Sequence, residues 1–288
     1  MWYPRAVWFL RATWIALPLL IVPLVNEAAH GDLLRLCIAT ALWLVWAIGL
    51  LAALVPTSVS LTVGRMIAPL APSVAILCGA AGTTAWKLAL GLAGALVAVL
   101  AWFRAETGVS FAQGSAYGDE QRFPLKAPLP MLAPMAITWL VGVVPGIVGV
   151  VALGSRRWLL AASGLTLGAL VMWLTGSRFH QLSRRWIVLV PVGVVVHDPL
   201  LLAENALFRI SELTSLHLAA ADTQAADLTG GTSGVPLEIA LRAMDTVTKV
   251  GTRAQPAGVA LHVRSLFVSP SRPGRVLAAA AIRNMPVG

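Results

Sequence analysis

Residues 157–198 read RWLLAASGLTLGALVMWLTGSRFHQLSRRWIVLVPVGVVVHD, and the chain changes character within this stretch. Its first half, 157–176, is apolar over about 20 residues, the length that a helix needs to cross the hydrocarbon core of a bilayer. Its last part is rich in Val and Ile and contains Pro and Gly, a pattern typical of short β-strands joined by a turn. The sequence therefore predicts a membrane-embedded helical part up to residue 176 and a β-rich part after it.

Five further apolar runs precede this one, and each is close to the length of a membrane span. Together the runs predict six spans, near 7–25, 33–55, 59–79, 84–103, 133–153 and 157–176. The third run is interrupted by Arg65, Pro69 and Pro72. A kinked span and a re-entrant segment both remain open there, so five spans is the alternative count.

The composition agrees with a membrane protein. Of the 288 residues, 58% are hydrophobic and 11% are charged, against about 45–50% and about 25% in soluble domains. The mean hydropathy is +0.82, and these values exclude a soluble globular protein. The two cysteines, Cys37 and Cys78, both lie in apolar runs, so the sequence predicts neither a disulfide framework nor a cysteine zinc site.

Basic residues near the span ends predict the orientation of the chain. With six spans, both termini and the loop 104–132 share one side of the membrane. That side carries Arg5, Arg11, Arg104, Arg122, Lys126, Arg178, Arg184 and Arg185, and the other carries Arg35, Lys87, Arg156 and Arg157. The positive-inside bias therefore predicts a multi-pass protein of the plasma membrane with cytoplasmic termini, although the adjacent Arg156 and Arg157 argue against this orientation.

The part after residue 184 has the size and the pattern of one small β domain. Two short β-rich runs flank Val192-Gly193, which is a hairpin signal. Further short runs are separated by turn-rich pieces and lie at 206–219, 235–242, 245–250 and 258–268. Residues 274–284 predict a terminal helix. We therefore expect a transmembrane helical domain over 1–176 and a soluble β domain over 184–288.

The opening of this β domain, Arg185-Trp-Ile-Val-Leu-Val-Pro-Val-Gly-Val-Val-Val-His-Asp198, resembles the first hairpin of bacterial pleckstrin-homology-like (PH-like) domains. The whole chain is similar to uncharacterised multi-pass membrane proteins of actinobacteria through the loop Ser110-Phe-Ala-Gln-Gly-Ser-Ala-Tyr-Gly-Asp-Glu-Gln-Arg-Phe-Pro124. The resemblance implies an α-helical transmembrane bundle of about six spans, followed by a small β-rich PH-like barrel with a C-terminal helix. It implies no activity and transfers no catalytic residue.

Sequence motifs for catalysis are lacking. The chain has no His-Glu-x-x-His, no Gly-x-Ser-x-Gly, no P-loop and no Gly-x-Gly-x-x-Gly. The glycine-rich stretch Thr229–Gly234 lacks the Lys and the following helix that a phosphate loop requires, and the scattered His residues lack metal-ligand spacing. We therefore expect no enzyme, no catalytic, cofactor-binding or metal-binding residue, and no nucleic-acid partner.

The loop 104–132 offers candidates for binding a partner. At about 28 residues it is long for a connection between spans, and its Gly and Pro residues indicate a defined path. The candidate residues are Tyr117, Asp119, Glu120, Arg122 and Phe123. The alternative is a solvated loop whose segment 123–125 lies on the membrane surface or packs on the β domain.

Charges at the membrane supply two further candidate sites. Arg178, Arg184 and Arg185 are predicted to contact anionic lipid headgroups, with about 1 kcal/mol for each charge. Arg65 is predicted as a charge inside the membrane. No acidic residue falls in the middle of a predicted span, which disfavours an ion-coupled transporter.

These features favour an integral membrane scaffold or adaptor that holds a cytoplasmic PH-like domain at the bilayer to bind a protein, with lipid as a further ligand. The protein partner is expected to bind through residues 184–288. Small residues in the spans, such as Gly142 and Gly146, fit either bundle packing or homo-oligomerisation. The alternative function is a transporter or channel-like component with Arg65 lining a path, and the third is a membrane enzyme acting on lipid or peptide.

Overall fold

The computed structural model describes residues 4–220, 223–251 and 258–288, and these form two compact units. The helical unit comprises the described residues up to Phe111 together with Met135–His180. The β unit comprises Ala112–Pro134 and Gln181–Gly288. The β unit is thus assembled from two segments of the chain that are separated by most of two long helices.

The described helices before the second β segment are α1 (Pro4–Ala28), α2 (Asp32–Leu54), α3 (Ser58–Ile67), α4 (Leu70–Ala80), α5 (Ala85–Phe103), α6 (Ala105–Gln113), α7 (Leu129–Gly154) and α8 (Trp158–Ser183). With α3 and α4 counted together, six helical stretches of the described chain are long and apolar enough to cross a membrane. The prediction of a multi-pass helical membrane protein is confirmed at this level.

The third span is broken between Ile67 and Leu70, where the sequence places Pro69. Proline has no backbone N–H, so the turn before it loses a helical hydrogen bond. The indole of Trp139 in α7 donates a hydrogen bond to the carbonyl oxygen of Met66 at 2.7 Å. A side chain of another helix thus satisfies a backbone acceptor beside the break, as a non-helical turn at membrane depth requires.

Two tryptophans join α1 to α2 by a reciprocal pair of hydrogen bonds. Pro18 cannot donate to the carbonyl of Trp14, four residues earlier, and this carbonyl instead accepts a hydrogen bond from the indole N–H of Trp46 at 2.9 Å. The indole of Trp14 donates in turn to the carbonyl of Trp46 at 2.9 Å. Both bonds lie inside apolar spans, where an unpaired backbone group is costly.

Small residues let α7 and α8 approach closely. A Cβ atom added to Gly164 would lie 2.7 Å from the carbonyl oxygen of Pro145, and one added to Gly168 would lie 2.8 Å from that of Gly142. Such close contact between backbones is the known use of small residues in membrane helices. These glycines therefore serve packing within the bundle, and homo-oligomerisation stays a prediction.

The β unit contains two four-stranded sheets. The first has the order β1-β2-β3-β4 and is antiparallel throughout; its strands are β1 (Gln121–Pro124), β2 (Trp186–Val190), β3 (Gly193–His197) and β4 (Ala206–Arg209). The second has the order β5-β7-β8-β6, with β6 parallel to β8; its strands are β5 (Leu213–Leu218), β6 (Ala226–Asp227), β7 (Leu237–Lys249) and β8 (Val259–Val268). The hairpin predicted around Val192-Gly193 is confirmed as β2–β3.

Strand β1 comes from the long loop between α5 and α7. Arg122 pairs with Val188 and Phe123 with Ile187 in an antiparallel register. Phe123 and Leu125 are 2% and 7% exposed and belong to the core of the β unit. The segment thus packs on the β domain, which was one of the alternatives for this loop, and it adds residues before 184 to the domain expected over 184–288.

The chain ends with helix α9 (Pro273–Ile282), close to the terminal helix expected at 274–284. Val276, Ala279 and Ala280 of α9 are buried in the same core as both sheets. The two sheets share no strand, and within the described residues they do not close into a barrel. The structure therefore has the predicted β-rich domain and C-terminal helix but not the closed barrel that the resemblance implies.

Candidate functional site

The edges of the two sheets are the places where another chain could add a strand, because an edge strand carries unpaired backbone N–H and C=O groups. The first sheet has β1 and β4 at its edges, and the second has β5 and β6. Among the described residues, the backbone groups of some of these edges are already hydrogen-bonded and those of others are not.

The edge at β1 is closed by side-chain and backbone contacts. The side-chain amide of Gln113 accepts a hydrogen bond from the Arg122 N–H at 3.0 Å and donates one to the Glu120 carbonyl at 2.9 Å. Pro124 has no N–H to offer, and its carbonyl accepts a hydrogen bond from Ser271 N–H at 2.9 Å. An incoming strand would find these groups already bonded.

The edge at β5 is covered by residues 286–288. The N–H of Leu216 donates to the carbonyl of Pro286 at 2.8 Å, and the N–H of Gly288 donates to the carbonyl of Leu216 at 3.1 Å. This short segment runs parallel to β5 and pairs Val287 with Leu216. The outward groups of Leu216 are therefore occupied.

The edge at β4 is open in the part of the chain that the structure describes. The N–H of Ile210 donates to the carbonyl of Val192 at 3.0 Å, so it points toward β3. Backbone groups of neighbouring residues in a strand point to opposite sides, so those of Leu207 and Arg209 point away from β3. The Arg209 N–H is held by the carboxylate of Glu212 at 2.8 Å, whereas the outward backbone groups of Leu207 have no hydrogen-bond partner among the described residues.

Two exposed apolar side chains lie at this open edge. Leu207 in β4 is 43% exposed, and Val192 in the β2–β3 turn is 60% exposed. The hydrogen bond from Ile210 to Val192 keeps the turn next to the end of β4. We call residues 206–209 with Val192 the β4 edge; it offers backbone hydrogen bonds and apolar contact to an extended segment, the combination used in strand addition.

The candidate residues of the loop 104–132 are mostly engaged within the β unit. The Glu120 carboxylate accepts a hydrogen bond from Tyr117 N–H at 2.5 Å and an ion-paired one from Arg122 at 2.6 Å. The Arg122 guanidinium also lies over the ring of Trp186, 4.9 Å from its centroid. Tyr117 itself is 89% exposed.

The two remaining candidates of this loop differ in exposure. Phe123 is buried in the core, so it contributes stability and cannot contact a partner while β1 is paired. Asp119 is exposed, and its carbonyl accepts a hydrogen bond from Arg283. Tyr117 and Asp119 therefore remain accessible among the five residues that the sequence predicted for partner binding.

Of the three arginines predicted to contact lipid, Arg185 has a different role. It is 1% exposed, and its guanidinium donates to the Asp198 carboxylate at 2.7 Å and 2.9 Å. It also donates to the carbonyl of Lys126 at 2.5 Å, which ties the two segments of the β unit together. Because Arg185 is buried and paired, the prediction of contact with headgroups stands only for Arg178 and Arg184, which are exposed.

Arg65, the predicted charge inside the membrane, lies at the last turn of α3. Its Nε donates to the carbonyl of Trp102 at 3.3 Å, and its guanidinium lies 5.5 Å from the centroid of the Phe103 ring. Trp102 and Phe103 end α5, and a helix C-terminus presents unpaired carbonyls that a cation can satisfy. This contact is a helix-capping one.

A stacked histidine at the end of β3 is not among the residues predicted from the sequence. The His197 ring stacks on Trp186 with centroids 5.2 Å apart, and its Nδ1 lies 2.6 Å from the Asn205 side-chain oxygen. Burial lowers the pKa of His197, the neighbouring Arg184 and Arg122 lower it further, and the Asn205 hydrogen bond and Asp198 oppose the shift. The predicted hairpin could have indicated this stacking, because its register places His197 opposite Trp186.

We expect this histidine to make the β unit less stable in mild acid. The unfolded chain binds a proton near pH 6.5 and the folded chain only at lower pH, so stability falls as pH falls below about 6.5. Urea midpoints of the full chain, followed through the β unit, are expected to fall between pH 7.5 and pH 5.5 less in His197→Gln than in the unmodified protein. The exposed His262→Gln is the control and should keep the full loss; equal losses in all three proteins would contradict the prediction.

A second group that the sequence did not single out joins β5 to β7. His217 and Glu238 are directly opposite in the register, and their Nε2 and Oε2 atoms are 3.3 Å apart. The Ser215 Oγ lies 3.1 Å from the His217 Nδ1. Glu238 is 3% exposed, so this contact holds a buried carboxyl group, and the strand register brings the two residues together.

Comparisons with known proteins do not assign the chain to a family. No family model matches the chain, and neither a curated protein nor a solved structure matches it. Among the described residues, no group of three or more His, Cys, Asp or Glu could hold a metal ion.

Proposed function

We propose that the chain is an integral membrane scaffold that holds the β unit at the cytoplasmic face of the plasma membrane and binds an extended segment of a partner protein along the β4 edge. The supporting observation is the contrast between sheet edges. Backbone groups at β1 and β5 are bonded to Gln113, Ser271 and residues 286–288, whereas the outward groups of Leu207 at β4 have no partner among the described residues. Natural sheets usually protect their edges against a new strand, so an unprotected edge beside apolar side chains fits a docking role.

The chain connections support a scaffold held close to the bilayer. Residues 125–128 lead from β1 to α7, and residues 184–185 lead from α8 to β2. Fully extended segments of four and two residues reach at most about 14 Å and about 7 Å. Because β1 and β2 pair in one sheet, the chain must return to the same side of the membrane after α7 and α8.

The proposal includes that the β unit is a PH-like domain. It is supported by the presence of two sheets, of which the first is antiparallel throughout, by the opening β2–β3 hairpin and by the C-terminal α9. The cytoplasmic orientation rests on the excess of basic residues on the side of the termini. Arg178 and Arg184 would each add about 1 kcal/mol of attraction to anionic headgroups and so orient the unit.

Site-specific photo-cross-linking tests the docking surface. A photoreactive amino acid at Val192 in the full chain, irradiated in intact cells, is expected to give a discrete cross-linked product with another protein. The same amino acid at Ile282 of α9, which is 77% exposed in the β unit but lies outside the β4 edge, is expected to give none.

A charge placed at the edge provides the matched test. In the Val192 cross-linking protein, Leu207→Lys is expected to lower the yield about tenfold, since loss of a buried leucine contact costs on the order of 1.5 kcal/mol in binding. Leu218→Lys on β5, where the native leucine is 47% exposed, should leave the yield unchanged. Equal yields from Val192 and Ile282, or no effect of Leu207→Lys, would contradict docking at β4.

A further inference from the structure

An apolar groove lies in the helical unit between α1, α2 and the break between α3 and α4. Its walls include Leu17 and Ile21 of α1, Ala39 and Leu42 of α2, and Ala71 of α4, and its volume is about 90 Å³. Such a volume has room for a short run of methylene groups. Tryptophan, proline, alanine and aliphatic side chains make up its lining, with the amide of Asn26 as the exception.

The walls of the groove are fixed by contacts between α1 and α2. The reciprocal hydrogen bonds between Trp14 and Trp46 join the two helices where both line the groove. The rings of Trp43 and Trp46 pack edge to face with centroids 5.2 Å apart. Behind Trp14, a Cβ atom at Gly49 would lie 2.2 Å from its ring, so the indole has no space to move back. The wall that α1 and α2 form is therefore held in place by contacts within the bundle.

The position of the groove along the spans decides what surrounds it. Its α1 lining runs from Trp14 to Asn26 within the span Pro4–Ala28, and its α2 lining runs from Ala39 to Trp46 within the span Asp32–Leu54. Residues at this depth face bilayer hydrocarbon, where no water competes for apolar surface. An open apolar groove at this depth is surrounded by the acyl chains of the bilayer.

The amide of Asn26 makes one end of the groove polar. Asn26 lies two residues before the end of α1 and is exposed, so the polar end of the groove coincides with the end of the span. An asparagine amide donates hydrogen bonds to carbonyl oxygens. One polar group at the interface and apolar walls toward the interior match an ester-linked acyl chain rather than an apolar molecule without a polar end.

From these observations we propose that the groove binds one acyl chain of a bilayer phospholipid, with the tail between α1, α2 and α4 and the ester carbonyl at Asn26. Bound in this way, the acyl chain of the lipid fills the space beside the α3–α4 break and supports the kinked span. The site is separate from the β4 edge, so each proposal stands or fails independently.

Photo-labelling from the lipid phase tests this site. The purified full chain is placed in phosphatidylcholine vesicles that contain a phospholipid with a diazirine on its acyl chain, irradiated, and mapped by peptide mass spectrometry. We expect labelling of the groove lining to exceed, at least fivefold, that of Leu19 and Leu44, which are 77% and 61% exposed and lie in the same two spans outside the lining. Uniform labelling of all these positions would show bulk contact only and would overturn the proposal.

Variants that fill the groove provide the second arm. Ala71→Phe and, independently, Ala39→Leu are expected to lower labelling of the lining at least fivefold, while Leu44→Phe, outside the groove, leaves it unchanged. Native mass spectrometry of the same proteins should show one retained phospholipid in the unmodified chain and in Leu44→Phe and none in the filled variants. Unchanged labelling in a filled variant that retains its helical circular dichroism would contradict the site.

Discussion

Replacing Phe123 with alanine is expected to destabilise the β unit by about 3–5 kcal/mol, the usual cost of deleting a fully buried phenylalanine. Phe123 is 2% exposed in the common core of the β unit, and it lies on the strand supplied by the loop between α5 and α7. Loss of its ring therefore weakens a sheet whose other three strands all follow α8. Hydrogen–deuterium exchange of the full chain in detergent should show faster exchange in β2 and β3.

The exposed Tyr117→Ala is the control for this measurement and should leave exchange in β2 and β3 unchanged. By the same reasoning, a fragment 184–288, which lacks β1, is expected not to fold on its own. Native-like protection of β2 and β3 in Phe123→Ala, or in the fragment, would show that β1 is dispensable and would contradict the pairing.

The second large effect is expected at the buried ion pair. Arg185→Met leaves the carboxylate of Asp198 buried without its partner, and such a change costs about 3–5 kcal/mol. Both side chains are almost inaccessible, at 1% and 0% exposure, so solvent cannot replace the lost contact. Urea unfolding of the full chain, followed by exchange in the β unit, measures the loss.

A change at the neighbouring Arg184 shows whether the loss of stability comes from burial of the ion pair or from the loss of one positive charge. Arg184→Met removes the same charge from an exposed position and is expected to change stability by less than about 0.5 kcal/mol. The double change Arg185→Met with Asp198→Leu should recover much of the loss, because no unpaired buried charge remains. Equal effects of the two single arginine changes would contradict the assigned roles.

Much of the helical part could be predicted from the sequence, because a bilayer sets the length of a span and makes the apolar run its direct signature. The hairpin β2–β3 could also be predicted, since Val192-Gly193 separates two β-rich runs. Strand β1 could not be recognised in the same way. It has four residues and contains Arg122 and Pro124, and it becomes a strand only by pairing with β2.

The different roles of Arg184 and Arg185 could have been predicted from the register of the hairpin. The hairpin register pairs Trp186 with His197, so its extension by one residue brings Arg185 near Asp198, and the alternation of a strand turns Arg184 to the other side. The β4 edge offers no such signal. It differs from the other edges because Gln113, Ser271 and residues 286–288 cover β1 and β5, and these are long-range contacts.

The pairing of β1 with β2 across the α7–α8 pair is tested most directly by a disulfide in intact membranes. Arg122 and Val188 are directly opposite, and opposed residues in an antiparallel pair lie within the Cα separation that a disulfide spans. In a chain with Cys37 and Cys78 replaced by alanine, Arg122→Cys and Val188→Cys are introduced with a protease site at 155–157. After mild oxidation and cleavage, the two halves are predicted to stay joined on a non-reducing gel and to separate on reduction. Halves that separate without reduction, while each cysteine alone reacts from an opposite side of the membrane, would contradict a β unit assembled from both segments.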